Sequence, residues 1–166
     1  VSASELPEAT KKQAMEVFEV LAEAEGRVHG VPATEVHFHE VGAIDAIVDI
    51  VGAISGLAGL DLDAVYASPV HLGRGFVRAA HGTIPVPAPA TLEILRGVPV
   101  YSMGVRGELT TPTGAAILKT VVSEYGPWPQ MTVDKIGYGL GTKHFSIPNV
   151  LRLAIGTSDV DHDDHH

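Results

Sequence analysis

Between residues 7 and 26 the apolar side chains Ala14, Val17, Phe18, Leu21 and Ala22 recur every three or four positions. That period predicts an amphipathic helix over 7–26, stopped by Gly26. Residues 36–39 alternate instead, so an extended segment there sets Val36 and Phe38 on one side and His37 and His39 on the other. From 41 to 60 the chain is almost continuously apolar, and Ile44, Ile47, Val48, Val51, Ile54 and Leu57 cover much of a helical surface. The expectation is a central, mostly buried helix.

Residues 65–70 read as a buried strand. The proline-punctuated run at 84–89 leads into a helix over 88–95, and 98–102 reads as another strand. Thr111 suits a helix N-cap, with Pro112 at the first helical position, where its missing N–H costs nothing. That helix is expected to continue to about residue 124, before Gly126 and Pro127 close it. Two further strands are expected at 131–139 and 149–155, and no internal repeat is visible. Alternating helices and strands give a fold class of α/β, with α+β as the alternative. The expected architecture is a mixed sheet packed with helices in one main domain, 1–158, with helix 7–26 as a candidate appendage.

Composition narrows the function. The 166 residues carry a formal charge of -9, four units of which come from Asp159, Asp161, Asp163 and Asp164 near the end. Nucleic acids and anionic membranes need clustered Lys and Arg to displace counterions, so neither is expected as a partner. There is no cysteine. Any metal must then bind through imidazole, carboxylate, carbonyl or water. No apolar run reaches the roughly 20 residues of a membrane helix and no signal sequence is visible, so a cytoplasmic protein is expected. The chain opens on Val1, as a fragment of a longer protein would.

The densest cluster of chemistry is His37, His39 and Glu40 followed by Asp45 and Asp49. Two imidazoles on one side of an extended segment can converge on one ion, and the aspartates, four apart, share a helix face. The competing reading is a buried polar network in which the aspartates bond the imidazoles and sit near a helix N-terminus. Carboxylates inside so apolar a helix must face something positive or donating. His71 and His81 bracket a glycine-rich connection holding Arg74 and Arg78, which suits either a phosphate or a surface hairpin. Thr110, Thr111 and Thr113 place hydroxyls at a helix N-terminus, an anion site or an ordinary cap. Gly137, Gly139 and Gly141 leave one face of an extended segment without side chains. The acidic stretch 159–166, with His162, His165 and His166, is a tail or the start of a linker that collects metal weakly.

Taken together, the strings 37–45 with 49–52, 81–90, 108–114 and 137–141 resemble the nickel-insertion (cyclometallase) family LarC. The likeness runs from about residue 31 to 156 and rests on several strings in matching order. The resemblance implies a protein that uses CTP to insert nickel into a pyridinium bis-thiocarboxylate mononucleotide, maturing the nickel-pincer cofactor of lactate racemase. It implies a lyase-class enzyme, nickel as its metal, the mononucleotide as substrate and a homo-oligomeric state.

Two departures bear on the transfer. Family members begin with a glycine-rich strand and loop containing a Gly-Asp-Met element, and continue past a His-rich linker into a domain that carries CTP, with its divalent metal. Neither is present, so activity of this stretch alone is left open. Within it the clustering of polar groups beside apolar runs assigns His37 and His39, with Asp45 or Asp49, to proton or metal handling, with Glu40 as a further ligand. Arg74, His81, Thr110, Thr111 and Thr113 are assigned to the substrate phosphate. The alternatives are a noncatalytic nickel-binding or oligomerisation module, and a metal-dependent hydrolase.

Overall fold

The longest helix, α1 (Glu8–His29), buries Thr10, Ala14, Val17, Leu21 and Ala24, a stripe at three- and four-residue spacing. Against that stripe pack α2 (Ile44–Gly59), α3 (Pro89–Ile94) and α4 (Pro112–Val121). Their contributions are Ile50 and Ile54 from α2, Ala90 and Ile94 from α3, and Ala115 and Ala116 from α4. Small residues at the crossings let these helices approach closely, and the interior is mostly aliphatic, with Thr10 and Thr91 buried among it. This architecture comes from a computed structural model that describes residues 5–36, 44–79 and 82–158.

α1 runs nearly a full turn past Gly26, the expected stop. It ends at Gly30, whose φ of 70° is the left-handed conformation that terminates helices. Gly26 is buried, and a Cβ there would lie 2.7 Å from the Val31 carbonyl oxygen. Its glycine therefore serves close packing against the returning chain, with the short 3-10 turn Ala33–Glu35 beyond. α2 departs further from expectation. Only Ile50 and Ile54 are buried in it, while Ile44 is 79% and Val48 62% exposed. α1 and α4 cover one side of the helix, and the apolar residues of its other side face outward.

The strands are short and mixed in direction, as an α/β chain with antiparallel hairpins requires. β1 (Tyr66–Ala67) pairs in parallel with β6 (Glu124–Tyr125), and β2 (Val70–His71) in parallel with β5 (Val100–Tyr101). The expected strand 65–70 is thus two pieces, broken at Ser68 and Pro69, where proline offers no donor. Val65 and Ala67 accept bonds from Ser123 and Gly126, whereas Val70, Leu72 and Arg74 donate toward Pro99, Tyr101 and Val105. Odd and even positions of an extended chain point to opposite edges, so residues 65–74 form a middle strand. α4 ends at Val121, sooner than expected, because the chain turns into β6.

Two antiparallel hairpins complete the chain. β3 (Gly75–Ala79) pairs with β4 (Gly82–Val86), the surface-hairpin reading of the glycine-rich connection. β7 (Thr132–Leu140) pairs with β8 (Val150–Thr157) through a bulge at Asp134. No helix among the described residues is long and apolar enough to cross a membrane.

Ile54→Ala opens a cavity at a fully buried site and is expected to cost about 2–5 kcal/mol of stability. Val48→Ala, on the outward face of α2, should cost less than about 0.5 kcal/mol. Urea unfolding of both variants checks the pair; equal losses would contradict the one-sided packing of α2.

Candidate functional site

The carboxyl ends of β2 and β5 bring together two segments far apart in sequence, 70–74 and 104–111. Leu72 N–H donates to the Tyr101 carbonyl at 2.8 Å, Arg74 N–H to Val105 at 2.9 Å, and Gly107 N–H back to Arg74 at 2.9 Å. A Cβ on Gly73 would collide with the Gly107 carbonyl oxygen, so the two backbones approach as only glycine permits. Gly107 has φ 116°, and its open α-carbon faces the Phe145 ring.

Arg74 and Arg106 face each other across a parallel β-bridge, which puts both side chains on one side of the backbone. Arg74 Nε donates to the Gly104 carbonyl at 2.7 Å. Neither guanidinium has a carboxylate partner among the described residues. Like charges held side by side are unfavourable, and an anion between them relieves the repulsion with charge-assisted bonds.

The α4 N-terminus lies alongside. Thr110 Oγ1 donates to the His71 carbonyl at 2.9 Å, which ties the helix entry to the end of β2. Thr111 is the N-cap, its hydroxyl accepting from Gly114 N–H at 3.1 Å, and Pro112 occupies the first helical position. The cap thereby uses the Gly114 N–H and leaves that of Thr113 for an anion at the positive end of the helix. The His71 ring stacks on Tyr101 with centroids 4.5 Å apart. Its buried Nε2 meets no hydrogen-bond partner among the described residues.

Glu108 follows directly, half-buried, and burial raises its pKa while the Lys143 charge opposes the rise. Lys143 belongs to the loop between β7 and β8, where its carbonyl accepts from Asn149 Nδ2 at 3.0 Å. That loop forms an open depression lined by Lys143, His144, Phe145 and Asn149. The region therefore combines cations suited to phosphate with a carboxyl held toward its neutral form.

The residues singled out in the sequence divide by place. Thr110 bonds the carbonyl of His71, three residues before Arg74, and Thr111 caps α4, so both spend their hydroxyls on structural bonds, with Thr113 in the first turn of that helix. Asp45 and Asp49 are exposed on α2, which corrects the expectation that two carboxylates are buried there. With water available on that face, no compensating donor is needed. His37, His39, Glu40, His81, His162, His165 and His166 lie outside the described residues. Among the described residues no three His, Asp or Glu side chains group as a metal set. Arg106, Glu108 and Lys143 were not singled out from sequence. The local signal for Arg106 and Glu108 is the pair of glycines at 104 and 107; Arg106 meets Arg74 through strand pairing, and Lys143 comes near Glu108 from the loop between β7 and β8.

A profile of the family described as nickel insertion protein matches residues 1–166. A protein of Desulfitobacterium hafniense named pyridinium-3,5-bisthiocarboxylic acid mononucleotide nickel insertion protein is 54% identical over 156 residues, covering 94% of this chain and 39% of its own length. Proteins of the same name from Geobacillus kaustophilus and Staphylococcus epidermidis are 54% and 47% identical, covering 92% and 97% of this chain and 38% and 41% of their own lengths. The chain thus spans about two-fifths of the curated relatives it matches. No solved structure matches it.

Because burial lifts the Glu108 pKa above its ordinary value of 4.5, folding favours the neutral acid. Stability from this group is complete below the unfolded-state value and is lost as pH rises through the raised native value. Glu108→Gln should therefore gain on the parent in urea unfolding as pH rises above the ordinary carboxyl range. A gap independent of pH would contradict the burial of this carboxyl.

Proposed function

The chain belongs to the nickel insertion protein family, and from that premise we propose that it supplies the substrate-holding part of a protein that places nickel in a pyridinium-3,5-bisthiocarboxylic acid mononucleotide. The observation that carries this reading is the Arg74 and Arg106 pair beside the α4 N-terminus, two cations without carboxylate partners among the described residues. A phosphate monoester fits such a pair, since each guanidinium offers paired donors and the helix end adds positive potential. Thr113 completes the phosphate contacts, and His81 is a further one.

Nickel is the cargo. His37, His39 and Glu40, with Asp45 or Asp49, deliver it through imidazole and carboxylate ligands, which suit nickel without the tight hold of thiolates. When nickel bonds to a ring carbon, the C–H bond breaks, its electron pair passes to the metal and the proton needs an acceptor. The His and Asp cluster is one acceptor; the ionised form of Glu108, made a stronger base by the burial that raises its pKa, is a second. CTP with its divalent metal is handled by the part of the longer protein that this chain does not span. The whole protein then acts as a CTP-dependent, lyase-class cyclometallase in the cytoplasm, as a homo-oligomer, and matures the nickel-pincer cofactor of lactate racemase.

A second reading, a noncatalytic module that stores nickel or scaffolds the rest, is favoured by the outward apolar surface of α2 and of the β7–β8 hairpin. The two readings separate on nickel titration of the chain and of a version ending at Ser158, each with and without His37→Ala/His39→Ala. The substrate-holding reading expects the shortened chain to bind nickel and the double variant to bind at least about 10-fold more weakly. Binding that disappears with residues 159–166 alone would contradict it and leave the scaffold.

A further inference from the structure

Both faces of the β7–β8 hairpin are largely apolar and largely exposed, with Ala154, Ile155 and Gly156 half-buried and Arg152 lying over the Trp128 ring. Every residue of β7 is exposed. The register places Ile136, Tyr138, Leu140 and Val150 on one face, exposed by 60%, 63%, 78% and 42%. On the other, Gly137 and Gly139 form a trough beside Leu153 and Leu151, themselves 51% and 62% exposed. A Cβ on Gly137 would meet nothing, so the trough is open to a close neighbour. Both outer edges also lack a paired strand among the described residues. A lone two-stranded ribbon is at best marginally stable in water, and a ribbon with two apolar faces calls for cover on each.

We propose that this ribbon is an inner layer of the longer polypeptide, covered on both faces by the part of it that this chain does not span. Size selects that occupant over a second copy. Nine residues in β7 give a ribbon ~30 Å long and ~10 Å wide, so each face offers roughly 300 Å². A second copy seated on one face would bury about 600 Å² in total, half the ~1,200 Å² of the smallest stable complexes between separate molecules. It would also leave the opposite face wet. A tethered occupant on both faces buries about 1,200 Å², within the ~600–1,500 Å² of contacts between domains of one chain. Tethering removes most of the association cost.

The length for such an occupant exists in the relatives. This chain spans 39% of the Desulfitobacterium hafniense protein, which leaves roughly three-fifths of a polypeptide of that size to supply the cover. Its contacting layer must be apolar, since Asp134, Lys135 and Arg152 are the only charged residues on the two strands. It also needs bulky side chains to fill the Gly137 and Gly139 trough. The outward side of α2, with Ile44 and Val48, is a second surface for the same polypeptide.

Hydrogen exchange tests it, on the 166-residue chain and on the same residues within a polypeptide of the relatives' full length, both dilute. Amides of 132–140 and 150–157 are expected to exchange on the order of 100-fold more slowly in the long form. In that form, Leu151→Lys/Leu153→Lys should return these amides to fast exchange, an outcome readable even if the short chain folds poorly. Equal exchange in both forms, or long-form protection that survives the double substitution, would overturn the proposal. So would protection of the short chain that grows with its concentration, because the occupant would then be a second copy.

Discussion

The candidate site depends on one contact that has no side chains in it. Gly73 lies against the Gly107 carbonyl with no space for a Cβ, and Gly107 takes a backbone conformation that L side chains rarely adopt. Only because both positions are glycine does the end of the middle strand run beside 104–107 with regular hydrogen bonds. Those bonds place Arg74 opposite Arg106, and the Thr110 bond to His71 then fixes where α4 begins. The helical core sets the larger frame, but the cations meet because two backbones touch.

What was legible in the sequence was local. The Thr111 cap and Pro112 start were readable because a cap is specified within four residues, and α3 because prolines announce it. Gly26 misled because a glycine needed for packing looks the same in one dimension as a glycine that ends a helix. β6 was hidden in the tail of an expected helix, since a two-residue strand has no period to detect. Arg106 was illegible for a different reason: its partner is set by parallel pairing between distant segments, which no local pattern encodes. The structure leaves the His37 and His39 assignment where the sequence put it, because those residues lie outside the described ones.

α2 unites several of these observations. Its sequence asks for burial on most sides, yet α1 and α4 cover only one. The β7–β8 hairpin makes the same demand on two faces. Both follow if the segment is written for the interior of a protein about two and a half times as long, the length at which its relatives occur. Exposure of Asp45 and Asp49 then belongs to the outer side of this stretch and sets no limit on what faces them in a longer chain.

The central claim is that Arg74 and Arg106 hold the phosphate of a pyridinium mononucleotide. Calorimetric titration of the metal-free bis-thiocarboxylate mononucleotide, beside its dephosphorylated nucleoside, tests it most directly. The nucleotide should bind about 10–100-fold more tightly than the nucleoside, and Arg74→Ala/Arg106→Ala should erase that difference. Equal affinity for nucleotide and nucleoside in the parent chain, or a preference for the nucleotide that persists in the double variant, would contradict the account.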